Sequence, residues 1–173
     1  MAFTEQLDEP LLVELHRYWI GCANGRRAPA RSDIDPIDIP RLLPYVTLIE
    51  VLDRAGRFRC RLAGTKVEAM YGCALTNCFV DEAIDGHYRD HLLGLFRTLV
   101  DGFAPIYSEN WFQPDKAQRI HIKSLMLPLS DDQQDINMVL SATVSTPDCA
   151  NDKSAPLRIQ DHFEPKNVTT RKL

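Results

Sequence analysis

The sequence predicts a single domain of the α+β class. Two segments carry the three- and four-residue spacing of amphipathic helices, and five others read as β-strands, most of them by their alternation. The strands fall into two groups, a pair before the longest helix and three after it, which is the segregated order of an α+β fold. At 173 residues the chain has the length of one domain with a hydrophobic core.

An amphipathic helix is predicted over residues 8–24. Pro10 suits its first turn, and Gly25 suits the position just beyond its end. Its apolar stripe consists of Leu7, Leu11, Leu12, Leu15, Tyr18, Trp19, Cys22 and Ala23. Two interpretations of the stripe are open, a cover for the domain's own sheet or a dimer contact. In the second interpretation the contact residues are Leu11, Leu15, Tyr18 and Trp19.

A turn-rich bridge over residues 26–44 leads from this helix into the first strand, residues 45–52. Serine, aspartate and proline in the bridge favour tight turns. The strand carries apolar residues on both faces, a pattern typical of a central strand that is covered on both sides. A hairpin turn over residues 53–56 then leads into the second strand.

The stretch from Arg57 to Gly72 positions the expected site. Its first half alternates, which predicts a strand with one buried face. We expect that face to carry Phe58, Cys60 and Leu62. Thr65 and Glu68 have the spacing of a capping box, which indicates a short helix after the strand, with Gly72 at its end. A helix folded back over the strand leaves a concave space, where we expect the functional site.

The longest helix is predicted over residues 85–103, and three strands follow at residues 105–112, 119–129 and 136–145. In the second of these strands the apolar phase shifts, so we expect a bulge near Ser124. The predicted organisation is a helix and bridge over residues 1–44, a core over 45–145, and a C-terminal tail with little fixed structure over 146–173.

Composition excludes several classes of function. The net charge of −4 argues against a nucleic-acid-binding surface, which is usually basic. No apolar run of about 20 residues is present, so no membrane span is expected, and the N-terminus has no basic start followed by an apolar block, so no signal peptide is expected. Five cysteines without paired metal-ligand spacing favour reduced thiols in the cytoplasm.

Several linked motifs resemble the PAS domain, in particular the small standalone PAS proteins of alphaproteobacteria. The motifs are Trp19, RSDIDP at 31–36, LLP at 42–44, RLAGT at 61–65, Tyr71–Gly72 and Leu75–Thr76. The resemblance covers roughly residues 8–145. Asn77 replaces a glycine that is common in the family, and asparagine is the residue that best tolerates the left-handed conformation expected there.

The resemblance implies a five-stranded antiparallel sheet in the order 2-1-5-4-3, with helices over one face and a ligand-sized cavity between them. It also implies a sensory or signalling module that is usually dimeric. Because no output domain is recognisable in the sequence, we expect this module to regulate a partner protein in trans or to act through its own second copy.

Cofactor and enzyme chemistry are not favoured. Asn77-Cys78-Phe79 resembles the flavin-binding motif of light-sensing domains but lacks its arginine, so flavin is not expected. His87 and His91 have a helical metal-ligand spacing without a third ligand, so neither haem nor a metal site is expected. The acidic cluster at residues 81–85 lies at predicted helix starts, where carboxylates are stabilised by the helix dipole, and no catalytic residue is predicted.

A small organic ligand in the cavity is the main functional hypothesis. The predicted wall residues are Phe58, Cys60, Leu62, Met70, Tyr71, Phe79, Leu92, Phe96, Trp111 and Met138, with Tyr71 and Trp111 as orienting polar groups. The alternatives are an interaction or dimerisation module in which the same residues fill the core and no ligand binds, and a haem or redox sensor. The resemblance does not name a ligand.

Overall fold

An antiparallel sheet forms the centre of the computed structural model, which describes residues 3–112, 120–146 and the backbone of 163–170. In chain order the elements are α1 (Pro10–Ala23), β1 (Val46–Leu52), β2 (Arg57–Ala63), α2 (Thr65–Tyr71), α3 (Val80–Ala83), α4 (Gly86–Gly102), β3 (Ile106–Phe112), β4 (Ile120–Leu129), β5 (Met138–Thr146) and β6 (Phe163–Thr170). Short 3-10 turns fill the bridge between α1 and β1, where prolines and aspartates alternate.

The strand order is β2-β1-β5-β4-β3-β6, so the predicted order 2-1-5-4-3 is confirmed and a sixth strand extends it. The expectation of a tail over residues 146–173 did not include β6, whose backbone pairs with β3. Pro165 obscures the strand pattern in the sequence, because proline is tolerated in a sheet mainly at an edge or an irregularity. Pro165 pairs with Asn110 of β3, and the register of the β3–β6 pair shifts between Glu109 and Asn110. Residues 147–162 and 171–173 of the predicted tail lie outside the described residues.

The two faces of the sheet are covered by different elements. Helices α2, α3 and α4 lie over one face, here called the cavity face, and α1 with the bridge lies over the other, here called the α1 face. Leu12, Leu15 and Trp19 of α1 are buried within the chain, and the Trp19 Nε1 donates a hydrogen bond of 2.8 Å to the Pro128 carbonyl. Helix α1 therefore covers its own sheet, which is the first of the two interpretations.

The bulge expected near Ser124 is absent. The register of β4 is continuous with β3 on one side and with β5 on the other. Leu125, Leu127 and Leu129 share the α1 face with His121 and Lys123, yet all three leucines are fully buried. Helix α1 covers only one end of this face. The side chains of β4 beneath the helix are therefore apolar, and those at the uncovered end are polar, although the strand itself is regular.

A register shift does occur between β1 and β2, and it changes the position of Leu62. Cys60 lies opposite Ile49 on the cavity face, whereas Leu62 lies opposite Leu48 on the α1 face. The Leu62 side chain is 47% exposed there. The alternation that grouped Leu62 with Cys60 was therefore wrong at this residue. Two further predicted wall residues also lie on the α1 face, Trp111 opposite His121 and Met138 opposite Leu129.

The turn from β2 into α2 differs in detail from the expected capping box. Gly64 precedes the first helical residue, and no side chain caps the helix. Glu68 instead accepts hydrogen bonds from the backbone N–H groups of Leu75 (2.9 Å) and Thr76 (3.3 Å), which hold the loop after α2. Gly72 and Asn77 have φ angles of 69° and 65°, so the left-handed conformation expected at both is confirmed.

Candidate functional site

A cavity lies between the central strands and the helices α2, α3 and α4. Its sheet side consists of Thr47, Ile49, Cys60, Ser124, Met126, Ser141 and Thr143. Its helical side consists of Val67, Tyr71, Leu75, Cys78, Val80, Ala83, Ile84, Tyr88, Leu92 and Phe96. Most of these residues are buried; Tyr71, Cys78, Ala83 and Thr143 are half-buried. The cavity occupies the concave space expected between β2 and the helix that follows it.

Hydroxyl side chains form part of the cavity floor. Thr47 on β1, Ser141 and Thr143 on β5 and Ser124 on β4 all point from adjacent strands toward the helices. The Ser124 Oγ and the Thr143 Oγ1 share a hydrogen bond of 3.2 Å. A purely structural core normally places apolar side chains at such central positions, because a buried hydroxyl costs free energy unless it is hydrogen-bonded. This polar floor therefore offers hydrogen bonds to a molecule in the cavity.

A pair of tyrosines forms the polar part of the helical side. The hydroxyls of Tyr71 and Tyr88 share a hydrogen bond of 3.0 Å, and the two rings stack with centroids 6.4 Å apart. Burial, followed by the neighbouring Tyr88, raises the pKa of Tyr71 well above its ordinary value, and burial also raises the pKa of Tyr88. Both phenols are therefore neutral at physiological pH and can donate and accept hydrogen bonds.

The cavity is small, with a volume of about 40 Å³. A buried water needs roughly 10–15 Å³ on this scale, so the space accommodates about three waters or a few non-hydrogen atoms of a ligand. Phe96 limits the space at one end because its ring packs against Phe58 with a centroid distance of 5.2 Å. A larger guest requires side chains on the helical side to move.

The Cys60 thiol on the cavity floor is in an environment that makes it unreactive. Burial raises its pKa to about 11, and the neighbouring Glu68 adds to the rise. The thiol is therefore protonated at physiological pH, whereas a reactive cysteine needs a lowered pKa. Cys60 contributes to the wall as a small side chain.

The predicted wall residues separate into three groups in the structure. Cys60, Tyr71, Leu92 and Phe96 line the cavity. Phe58 and Met70 are buried in the core outside the lining, and the Phe79 ring lies 3.5 Å below the Arg57 guanidinium. Leu62, Trp111 and Met138 lie on the α1 face; Trp111 is stacked on His121 with ring centroids 4.2 Å apart.

The predicted dimer-contact residues on α1 have internal partners. Leu15 and Trp19 are buried in the chain's own core, and Leu11 is half-buried against it. The Tyr18 hydroxyl accepts a hydrogen bond of 2.8 Å from the Asp35 backbone N–H in the bridge. These side chains hold α1 and the bridge to the sheet.

The hydroxyl floor and Tyr88 are the polar members of a larger group of cavity residues that sequence reasoning missed; the others are Ile49, Val67, Leu75, Cys78, Val80, Ala83, Ile84 and Met126. Met138 is among the predicted wall residues, so alternation along residues 136–145 would place Ser141 and Thr143 on the face away from the cavity. The structure has the reverse phase, because the α1 face of β5 is also covered and takes the apolar residues. The signal was the alternation of Ser141, Thr143 and Ser145 along β5.

Metal ligation finds little support among the described residues. His87 is exposed and His91 is half-buried on α4. No group of three or more histidine, cysteine or acidic side chains in the described part of the chain is arranged to hold a metal ion. Asp81 and Glu82 instead form ion pairs with Arg57, which tie α3 to the edge strand β2.

Comparison with known families decides the identity of this fold. A family model for the PAS domain matches residues 7–144, which is most of the chain. The chain belongs to the PAS-domain family. A search of curated proteins returned no match. As a PAS domain it is a sensory or signalling module in general, and modules of this kind are typically sensory rather than catalytic. None of the helices in the described residues is long and apolar enough to cross a membrane.

Proposed function

We propose that this PAS domain is a non-catalytic sensor that takes a small neutral ligand into its cavity and regulates a partner protein in trans. The observation that carries the proposal is the polar floor of Thr47, Ser124, Ser141 and Thr143 beneath a largely apolar roof. Ligand sites are typically apolar with a few convergent polar groups, and this cavity has that composition.

The lining residues also restrict the chemistry of the ligand. None of the described lining residues carries a charged side chain. A charged ligand would therefore lose its hydration without gaining a counter-ion, at a cost of several kcal/mol. The hydroxyls and the Tyr71–Tyr88 pair instead suit a compact molecule with one or two hydrogen-bonding groups.

Native mass spectrometry of freshly purified protein tests the ligand. We expect a bound species of low mass that is released on denaturation. In the double variant Thr47→Val/Thr143→Val, which removes two floor hydroxyls at nearly constant volume, the bound species should be lost. Thr98→Val on the exposed side of α4 removes a hydroxyl far from the cavity and is the matched control. A wild type that carries no adduct after gentle purification would contradict the proposal.

The cavity volume favours a second function, an interaction module with a filled core and no ligand. About 40 Å³ is far below the roughly 300–1,000 Å³ of ordinary ligand pockets. In that case Ser141→Val, which replaces a hydroxyl facing the cavity by a methyl group and adds a second methyl group, should leave partner binding unchanged and raise the melting temperature. Under the sensor proposal the same substitution weakens ligand binding, so the two functions give different results.

A further inference from the structure

We infer that Cys60 and Cys78 form a reversible disulfide in the wall of the cavity, which makes this wall a site of oxidative modification. Cys60 lies on β2, and Cys78 lies in the loop between α2 and α3. Both side chains line the cavity, so the two sulfur-bearing side chains face the same enclosed space. Both cysteines are free thiols in the structure.

The backbones of the two cysteines are paired as in an antiparallel sheet. Arg59 and Phe79 form an antiparallel bridge, so the next pair of opposite residues is Cys60 and Cys78. The Cys60 N–H donates a hydrogen bond of 2.8 Å to the Cys78 carbonyl. The Cys60 carbonyl accepts a hydrogen bond of 2.7 Å from the N–H of Asn77, whose φ of 65° suits the extra position of a bulge.

This pairing places the two cysteines at the separation that a disulfide requires. Opposite residues joined by hydrogen bonds in an antiparallel pair have Cα atoms roughly 5.5 Å apart. A disulfide requires a Cα separation of roughly 4.4–6.8 Å. The two sulfurs can therefore be joined by rotation about the Cα–Cβ bonds, without movement of either backbone segment.

Each thiol of the reduced protein has only a weak hydrogen bond to lose. The Cys60 Sγ lies 3.4 Å from the Leu62 carbonyl oxygen, and the Cys78 Sγ lies 3.7 Å from the Ala74 carbonyl oxygen. Thiols are weak donors, so rotation of the two sulfurs toward each other costs little free energy. The thiols also interact electrostatically, because burial, then Glu68 and then Cys78 raise the pKa of Cys60 to about 11.

The difference in burial sets the order of the reaction with a hydroperoxide, which is the class of oxidant that we assign to this site. Cys60 is buried and protonated, so the peroxide reacts first with the half-buried Cys78. The Cys78 sulfur attacks one oxygen of hydrogen peroxide, the O–O bond breaks, and a sulfenic acid and water form. The Cys60 sulfur then attacks the Cys78 sulfur, and the hydroxyl group leaves as water with the Cys60 proton. The two thiols lose two hydrogens and two electrons, and hydrogen peroxide becomes two waters.

The disulfide restrains the helical side of the cavity. The segment between the two cysteines contains the whole of α2, which contributes the lining residues Val67 and Tyr71. Helix α2 directly follows β2, and the cross-link also fixes the loop after α2 to β2, so the helix is held at both ends. A guest larger than the cavity requires these side chains to move. Oxidation should therefore slow ligand exchange, a consequence that rests on the proposed function, whereas the disulfide itself does not.

Thiol titration of the full chain before and after treatment with hydrogen peroxide tests the inference. We expect the number of free thiols to fall from five to three and to return to five with dithiothreitol. After the remaining thiols are blocked, chymotryptic peptides, which separate Cys73 from Cys78 by cleavage after Leu75, should show Cys60 linked to Cys78. The melting temperature of the oxidised protein should rise by about 5 °C, because the cross-link restricts the unfolded chain.

Two serine variants sharpen this test. Cys78→Ser should keep its thiols at a peroxide dose that oxidises the wild type, because the reaction begins at Cys78. Cys73→Ser removes an exposed cysteine of the same loop and is the matched control, which should still lose two thiols. A link between Cys73 and Cys78 in the wild type would overturn the inference, and so would oxidation without any link or retention of all five thiols.

Native mass spectrometry separates this inference from the proposed ligand. Release of the bound species should be slower from the oxidised than from the reduced protein, and equal rates would contradict the restraint on α2. The thiol titration needs no ligand. A disulfide in a protein that carries no bound species would therefore contradict the proposed function alone, and a bound species in a protein that forms no disulfide would contradict this inference alone.

Discussion

Gly64 is the residue at which backbone geometry most directly limits the sequence. A Cβ at this position would lie 2.2 Å from the Leu43 carbonyl oxygen and 2.4 Å from the Pro44 carbonyl carbon. Both are backbone atoms of the turn that enters β1, so neither can move without shifting the strand. The glycine is required by this close approach, because it allows the start of α2 to pass against the end of the bridge.

Gly64→Ala is therefore expected to destabilise the fold by about 3 kcal/mol, at the upper end of the cost of overpacking a core. The control is Gly94→Ala in the middle of α4, where nothing lies within 4 Å of the added Cβ. That substitution should stabilise the protein by about 0.5–1 kcal/mol through helix propensity. Urea denaturation measures both, and equal midpoints for the two variants would show that the turn tolerates a side chain.

Glu50 gives the fold a defined dependence on pH. Burial tends to raise the pKa of Glu50, but hydrogen bonds from Arg61 and Arg59 outweigh it, so the pKa lies below its ordinary value. A lowered pKa means that the ionised carboxylate stabilises the native state above about pH 4.3, the value in an unfolded chain. This contribution is lost as the pH falls from that value through the folded-state pKa.

Glu50→Gln should accordingly cost about 1–3 kcal/mol at pH 7, because two arginines lose a charged partner, and much less at pH 3. Chemical denaturation at the two pH values measures the difference. Glu14→Gln on the exposed side of α1 is the control and should change stability little at either pH. A cost for Glu50→Gln that is the same at both pH values would mean that the ion pairs do not contribute.

At the scale of the element, α1 is fixed to the sheet by one buried tryptophan. The Trp19 side chain is 3% exposed, and its Nε1 donates to the Pro128 carbonyl at 2.8 Å. Pro128 lies in β4, and the next residue, Leu129, is fully buried. The hydrogen bond therefore sets the position of the helix across the strands, in addition to the apolar contact.

Trp19→Phe should destabilise the protein by about 2–4 kcal/mol, since it leaves a buried carbonyl without its donor and reduces the packed volume. Hydrogen exchange should show faster opening of α1 than in the wild type, with little change in α4 on the opposite face. The control Arg17→Ala lies on the exposed side of α1. Equal acceleration in α1 and α4 would indicate that the two faces open together.

Most elements were predictable from periodicity, because each has at least one face whose environment is uniform along its length. The predictions failed where the environment changes within an element. In β4 the side chains on the α1 face change from polar to apolar where α1 begins to cover the strand. In β2 a register shift moves Leu62 to the other face of the sheet. Covering of β5 on both faces likewise hid Ser141 and Thr143, so these two hydroxyls of the cavity floor were missed although the cavity's location was predicted.

At the scale of the whole molecule, the central strands separate two surroundings of different chemistry. Thr47 lines the cavity, whereas its neighbours Val46 and Leu48 line an apolar groove between the bridge and the sheet on the α1 face. A one-residue alternation along β1 thus places a cavity with a hydroxyl-lined floor and an apolar groove on opposite sides of a single strand. The cavity of the proposed sensor and the α1 face are therefore on opposite sides of the sheet.

The measurement that tests this account most directly is a crystal structure of the protein purified from cells without added ligand. We predict electron density for a small non-protein molecule between the sheet and α2–α4, within hydrogen-bonding distance of a floor hydroxyl or of the Tyr71–Tyr88 pair. A cavity that contains only ordered water in independently prepared crystals would contradict the proposed sensor.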